Sequence, residues 1–181
     1  MTAILRDLPF QETDDEVTVG LQRIPIKPYQ IIVWVSLTAR GMLELPPHAP
    51  RLPVILDTGH NHNFSIQEEH LHDWAGLRTD PLTQIGTIME RGRRLPLHAL
   101  HVWIHRNFRG QRVLSSHEPA ERLKLDKGIA VYPRGLAYPA LPLLGLRALV
   151  RNKLHFTMNP ERCVVNLRTP DWRSKLSGWL S

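Results

Sequence analysis

A single cysteine in 181 residues, Cys163, leaves this chain without an internal disulfide and without the several thiolates of a structural zinc site. Cys163 itself reads as a small half-buried strand residue. Long apolar runs are missing too, since Ile31-Ile32-Val33-Trp34-Val35 is far too short to span a bilayer. The start of the chain carries Arg6, Asp7 and the cluster Asp14-Asp15-Glu16 where a signal peptide would carry its apolar core. A cytoplasmic protein with no membrane partner is therefore expected. Aromatics are only 7% and do not alternate with a basic run, so a charge of +6, from 23 Lys and Arg against 17 acids, predicts a solvated basic face. A nucleic-acid partner is not expected. No heptad, internal repeat or low-complexity segment is found.

What is present suits one globular domain with a real core: 42% apolar and 22% charged residues. Residues 1–20 are polar and irregular and read as an N-terminal arm. Residues 21–168 form the compact domain, and 169–181 a tail in which Trp172, Leu176, Trp179 and Leu180 recur at helical intervals. Strands dominate between. Residues 31–37 and 53–56 are rich in β-branched and apolar side chains, and prolines, 15 in all, punctuate the chain. A short helix fits 64–77, where Ile66, His70, Leu71 and Trp74 repeat and Gly76 is placed to stop it.

Residues 85–89 and 95–104 predict a long hairpin whose turn, Glu90-Arg91-Gly92-Arg93-Arg94, holds a glycine where positive φ is needed. Residues 106–124 read as a surface excursion. Shorter strands follow at 128–132, 153–158 and 163–167. Strands at short intervals with abundant proline predict an all-β barrel or sandwich.

Chemistry concentrates at Leu52-Pro53-Val54-Ile55-Leu56-Asp57-Thr58-Gly59-His60, an apolar run delivering an acid, a hydroxyl and a glycine. By composition alone Asp-Thr-Gly arises in roughly a few per cent of chains this size, so context carries the weight. Far downstream lies a second element, Leu143-Leu144-Gly145-Leu146-Arg147-Ala148-Leu149. Together these motifs resemble the retropepsin-like aspartic proteases, over about residues 24–167. In that family a strand delivers Asp-Thr-Gly, a hairpin flap follows, and a strand ending in two apolar residues and glycine leads into a short helix.

The resemblance implies a closed acid-protease barrel with one or two short helices and a flap, and an endopeptidase needing no cofactor and no metal. Peptide hydrolysis without metal or covalent intermediate needs one group to deprotonate water and another to protonate the substrate. Two carboxylates sharing a proton supply both. No other aspartate here, among them Asp73, Asp80, Asp126 and Asp171, precedes Thr-Gly or Ser-Gly. The catalytic pair is then Asp57 and its copy in a homodimer.

By position, Thr58 inherits the role of locking the two catalytic loops together, and Gly59 that of allowing close backbone approach. Leu143, Leu144 and Gly145 form the apolar-glycine element. Met89, Glu90, Arg91, Gly92, Arg93 and Arg94 would form the flap over an extended peptide or protein substrate. A flap this basic predicts a preference for acidic segments.

The sequence departs from the family at two places. His60 stands where alanine or serine is usual, beside the carboxylates, where an imidazole can donate a hydrogen bond, favour ionised carboxylates or obstruct substrate. Leu146 rather than arginine follows Gly145, so the retroviral dimer salt bridges are not expected.

Two alternatives stay open. One is a protease-like dimeric binding module in which Asp57 is retained for structure or His60 blocks catalysis. The other is a metal-dependent hydrolase drawing on ten histidines, among them His60, His62, His70, His72, His98, His101 and His105. Against the latter, Glu69-His70-Leu71-His72 lacks the i, i+4 histidine pair of a zincin helix. No serine or cysteine stands in a nucleophile-elbow pattern.

Overall fold

The computed structural model describes residues 1–170 apart from 91, 112, 113, 115–118 and 137. The expected tail helix at 171–181 and the flap residue Arg91 lie outside the described residues. The chain is mostly β. In order it forms β1 (Ala3–Pro9), β2 (Asp15–Val19), β3 (Gln22–Ile26), β4 (Ile32–Ala39), β5 (Leu52–Asp57) and β6 (Phe64–Gln67). After α1 (Glu68–Asp73) come β7 (Gln84–Glu90), β8 (Arg93–His98), β9 (Leu100–His105), β10 (Asn107–Phe108), β11 (Ala120–Leu123) and β12 (Ile129–Tyr132). The last elements among the described residues are β13 (Leu143–Gly145), α2 (Leu146–Arg151), β14 (His155–Asn159) and β15 (Val164–Arg168).

Among the described residues nine strands make one sheet in the order β11-β9-β4-β5-β13-β6-β12-β8-β7. A second sheet, β10-β1-β15-β14, joins the two ends of the domain, and β2 and β3 form a separate hairpin. A closed barrel was expected, but the pairings among the described residues leave β11 and β7 as edges. From Ile85 onward β7 alternates between exposed and half-buried residues, as an edge ribbon facing solvent does.

β5 is the opposite case. Its first five residues are all buried because it has a neighbour on each side and packing on both faces, and its sequence reads as one continuous apolar run. Pro53 is tolerated inside it because β13 pairs only with Ile55 to Asp57, so the missing amide hydrogen breaks no ladder bond on that side. The three-residue β13 is wedged between β5, to which it is parallel, and β6, to which it is antiparallel. Leu144 at its centre is fully buried, and truncating it to alanine would cost about 2–5 kcal/mol.

Four further sequence expectations are corrected. The arm at 1–20 is not irregular: Ile4, Leu5 and Leu8 of β1 are buried in the main core, and β1 pairs with β15 and β10. Asp7 has φ +47° and the β1–β15 register shifts twice, so the period-2 alternation that marks a strand is broken. The helix at 64–77 shrinks to α1, because Phe64 to Gln67 take strand hydrogen bonds from β13 and β12 instead. Its end is as expected: Gly76 has φ +67° and its N–H reaches the His72 carbonyl at 3.1 Å.

The long hairpin arm is likewise two strands. The chain changes partner at Ala99, whose N–H goes to the Thr83 carbonyl at 2.9 Å, so β8 pairs with β7 and β12 while β9 pairs with β4 and β11. Part of the expected excursion at 106–124 is also strand, with Asn107 buried in β10.

Candidate active site

β5 ends at Asp57, and the chain then turns sharply. The Asp57 carboxylate (Oδ1) accepts the Gly59 N–H at 2.8 Å, and its carbonyl accepts the His60 N–H at 3.2 Å, which fixes an Asx-type turn. Thr58 and Gly59 stand exposed at its tip. The register of β5 with β13 puts Gly145 directly beside Asp57. Two motifs that are far apart in sequence are thus hydrogen-bonded neighbours. The Gly145 N–H donates to the Asn63 carbonyl at 3.0 Å, and a Cβ at 145 would lie 2.0 Å from the His62 carbonyl oxygen and 2.6 Å from that of His60. Only glycine fits under the loop that follows Asp57.

His60 turns its imidazole inward. Its Nε2 is 2.5 Å from the Ser65 hydroxyl, and the Tyr138 hydroxyl donates to the same Ser65 oxygen at 2.8 Å. Ser65 is fully buried in β6. With Tyr138 donating to it, Ser65 has its own proton free for His60, which suits a neutral imidazole with its hydrogen on Nδ1. Burial, with help from neighbouring His62, holds the His60 pKa below the ordinary histidine value, and the carboxylates of Asp57 and Glu90 oppose that only in part. Burial also pushes the Tyr138 phenol far above its usual range, so it stays a donor.

Above this floor lies the β7–β8 hairpin. Gly92 in its turn has φ +77°, as the turn was expected to require. Glu90 and Arg93 face each other in register at its tip. The Glu90 carboxylate does not pair with Arg93. It accepts a hydrogen bond from the Tyr132 hydroxyl of β12 and lies 3.4 Å from Nε2 of His62. A small core of Leu95, Leu97, Ala130 and Tyr132, with Ile88 and Leu136 packed on it, fills the space beneath the hairpin.

Between hairpin and floor is a cleft of about 520 Å³. Asp57, His60, Glu90 and Arg93 line its polar side; Leu95, Leu136, Tyr138, Pro139 and Leu143 line its apolar side. Of the residues singled out from sequence, the fold brings Asp57, Gly59, His60, Glu90, Arg93 and Leu143 to this one cleft. Leu144 goes to the core, Thr58, Arg94 and Gly92 to the surface, and Met89 is 63% exposed. Ser65, Tyr132 and Tyr138 were not singled out as site residues, since none sits in a motif: Ser65 and Tyr132 arrive through strand order and Tyr138 through the loop between β12 and β13.

On the far side of Gly145, α2 is anchored within the chain. Asp126 accepts hydrogen bonds from Nε of Arg147 at 3.0 Å and from Asn63 Nδ2 at 3.0 Å, and it pairs with Arg151 at 3.0 Å. The Arg147 guanidinium holds the Asp126 carboxyl well below the usual carboxylate range. Among the described residues no three His, Cys, Asp or Glu side chains stand close enough to hold a metal ion. Nor is any described helix long and apolar enough to cross a membrane. No protein-family model, curated protein or solved structure matches this chain, so its site is read from its own geometry.

Proposed function

We propose that the chain is a retropepsin-like aspartic endopeptidase, acting as a homodimer in which the Asp57 carboxylates of two subunits activate one water. The observation that carries this is the juxtaposition of Asp57 with Gly145 on the floor of a cleft roofed by the β7–β8 hairpin. A carboxylate at the end of a buried strand, half-exposed and flanked by the exposed Thr58 and Gly59, can meet its copy across a twofold axis.

In the pair, one carboxyl is protonated and the other ionised, because two like charges so close cannot both ionise cheaply. The ionised carboxylate takes a proton from water as its oxygen attacks the scissile carbonyl. The protonated one gives its proton to the carbonyl oxygen; as the C–N bond breaks, the carboxyl that took water's proton passes it to the leaving nitrogen and the other carboxylate takes back a proton from the tetrahedral diol. The hairpin holds the substrate extended against the cleft and keeps bulk water out. The Tyr138–Ser65–His60 chain supports the loop after Asp57 and keeps the imidazole ring out of the reacting position.

The test compares wild type with Asp57→Asn on a mixed peptide library over a pH series, beside a measured solution mass. Cleavage by a dimer, abolished by Asp57→Asn, is the expected result. Cleavage untouched by the substitution, or carried out by a monomer, would reject the mechanism. Peptide binding without cleavage at any pH would favour the dimeric binding module.

A further inference from the structure

We infer that Arg93 is the specificity-determining residue of the cleft, selecting extended peptides that carry a carboxylate side chain close to an apolar one. The inference rests on the cleft being a peptide site, as proposed above, but not on its cleaving what it binds.

Strand alternation separates the two arginines of the hairpin. Arg93 and Leu95 line the cleft, whereas Arg94, between them in sequence, points to the other face of the ribbon. Arg93 is also the one lysine or arginine lining the cleft among the described residues. Its natural partner would be Glu90, directly opposite in register, yet that carboxylate is held by the Tyr132 hydroxyl and lies against His62. Asp57 spends one oxygen on the Gly59 amide. The Arg93 guanidinium is left with no hydrogen bond or ion pair to any described residue, an open fork above the cleft.

Below it Leu95, Leu136, Tyr138 and Leu143 offer an apolar wall. A strand-like ligand places alternate side chains on one face about 7 Å apart. One of them can enter the apolar wall while the next presents its carboxylate to Arg93. Asp57 and Glu90 make the cleft acidic overall, which argues against acidic ligands at long range. At contact distance a ligand carboxylate takes the Arg93 fork bidentately, because the Glu90 carboxylate in register with it is already held by the Tyr132 hydroxyl and lies against His62. Arginine's planar fork suits a carboxylate better than it suits an amide.

An exposed pair of this kind gives a modest preference, about three- to fivefold. The experiment measures fluorescence anisotropy of labelled ten-residue peptide libraries on the Asp57→Asn protein, which would hold ligand without cutting it. The libraries share leucine and phenylalanine positions and differ only in carrying glutamate, glutamine or lysine. Glutamate peptides should bind three- to fivefold tighter than glutamine peptides, the difference shrinking in 0.5 M salt, a concentration well above the screening range of about 0.15 M. Adding Arg93→Ala should abolish it, Arg93→Lys should retain part of it, and Arg94→Ala should leave it intact.

Equal binding of glutamate and glutamine peptides, or a preference lost with Arg94→Ala and kept with Arg93→Ala, overturns the inference. If wild type cleaves peptides but no charge preference exists, the inference falls and the peptidase stands. If the preference depends on Arg93 but wild type cleaves nothing, the peptidase falls and the inference stands.

Discussion

Gly145 lies beside Asp57 in the parallel pair of β5 and β13, and the loop leaving Asp57 crosses its Cα so closely that the carbonyl oxygens of His60 and His62 occupy the place of a side chain. Each motif thereby sets the position of the other. Gly145→Ala forces a methyl group to within 2.0 Å of the His62 carbonyl oxygen, and the obstacle is backbone rather than a movable side-chain end. The substitution should cost about 3 kcal/mol, the upper part of the overpacking range. Chemical denaturation measures it, and a loss below about 1 kcal/mol would show that the loop can move aside.

His60 offers a direct probe of how near its ring sits to the acid. Its pKa is depressed by burial and by His62 and partly restored by Asp57 and Glu90. The neutral ring therefore supports the fold fully above about pH 6.5, and that support is lost as the unfolded chain protonates first on acidification. In NMR titrations the His60 imidazole should show a midpoint below the ordinary histidine value of about 6.5. Asp57→Asn removes one of the two restoring charges, so the midpoint should fall further; no change, or a rise, contradicts the placement of these groups.

Much of this arrangement could be read from the sequence, and the parts that could not share a cause. β4, β5, β12 and β15 are apolar runs bounded by turns, and Asp57-Thr58-Gly59 and Leu143-Leu144-Gly145 are local words whose conformations need no distant information. β1 was missed because a bulge at Asp7 breaks its alternation. The split at Ala99 was missed because His98, Ala99 and Leu100 are all buried, giving no period to follow. Tyr138 meets Ser65 across 73 residues, and Tyr132 meets Glu90 across 42. Such contacts follow from strand order, with β6 and β12 neighbours in the middle of the sheet, and no window of sequence records that.

A second histidine sets an acid limit to stability away from the cleft. His70 stacks flat on Trp74, with centroids 3.6 Å apart, and burial lowers its pKa to about 4 against the weaker pull of Asp73. Above pH 6.5 the ring is neutral in both folded and unfolded chains; between about 6.5 and 4 only the unfolded chain gains the proton, so stability falls as pH falls. The full shift corresponds to about 3 kcal/mol, and screening of a partly exposed ring brings this to about 1–2 kcal/mol. His70→Phe keeps the stack and removes the titration. It should flatten the loss of stability between pH 7 and pH 4.5, and an unchanged slope would assign that loss to other groups.

The hairpin is tied to the body of the domain at its tip, and that tie can be cut without touching the cleft floor. β8 pairs with β12 only at Leu97 and His98, so beyond Leu97 the ribbon projects with no ladder to hold it. Its tip is held instead by the Tyr132 hydroxyl on the Glu90 carboxylate, with His62 beside it, and by the apolar contacts beneath Leu95. Hydrogen bonds to charged groups contribute about 1.5–3 kcal/mol. Tyr132→Phe removes this bond and keeps the ring packed on Tyr138, whose centroid is 4.2 Å away. Local opening of the hairpin should become about tenfold more frequent, which hydrogen exchange at Ile88 and Leu95 measures, while the amides of β4 and β5 keep their protection. Exchange rising equally in β5 would mean that Tyr132 serves global stability. Exchange unchanged at Ile88 and Leu95 would mean that the small core beneath the hairpin holds it alone.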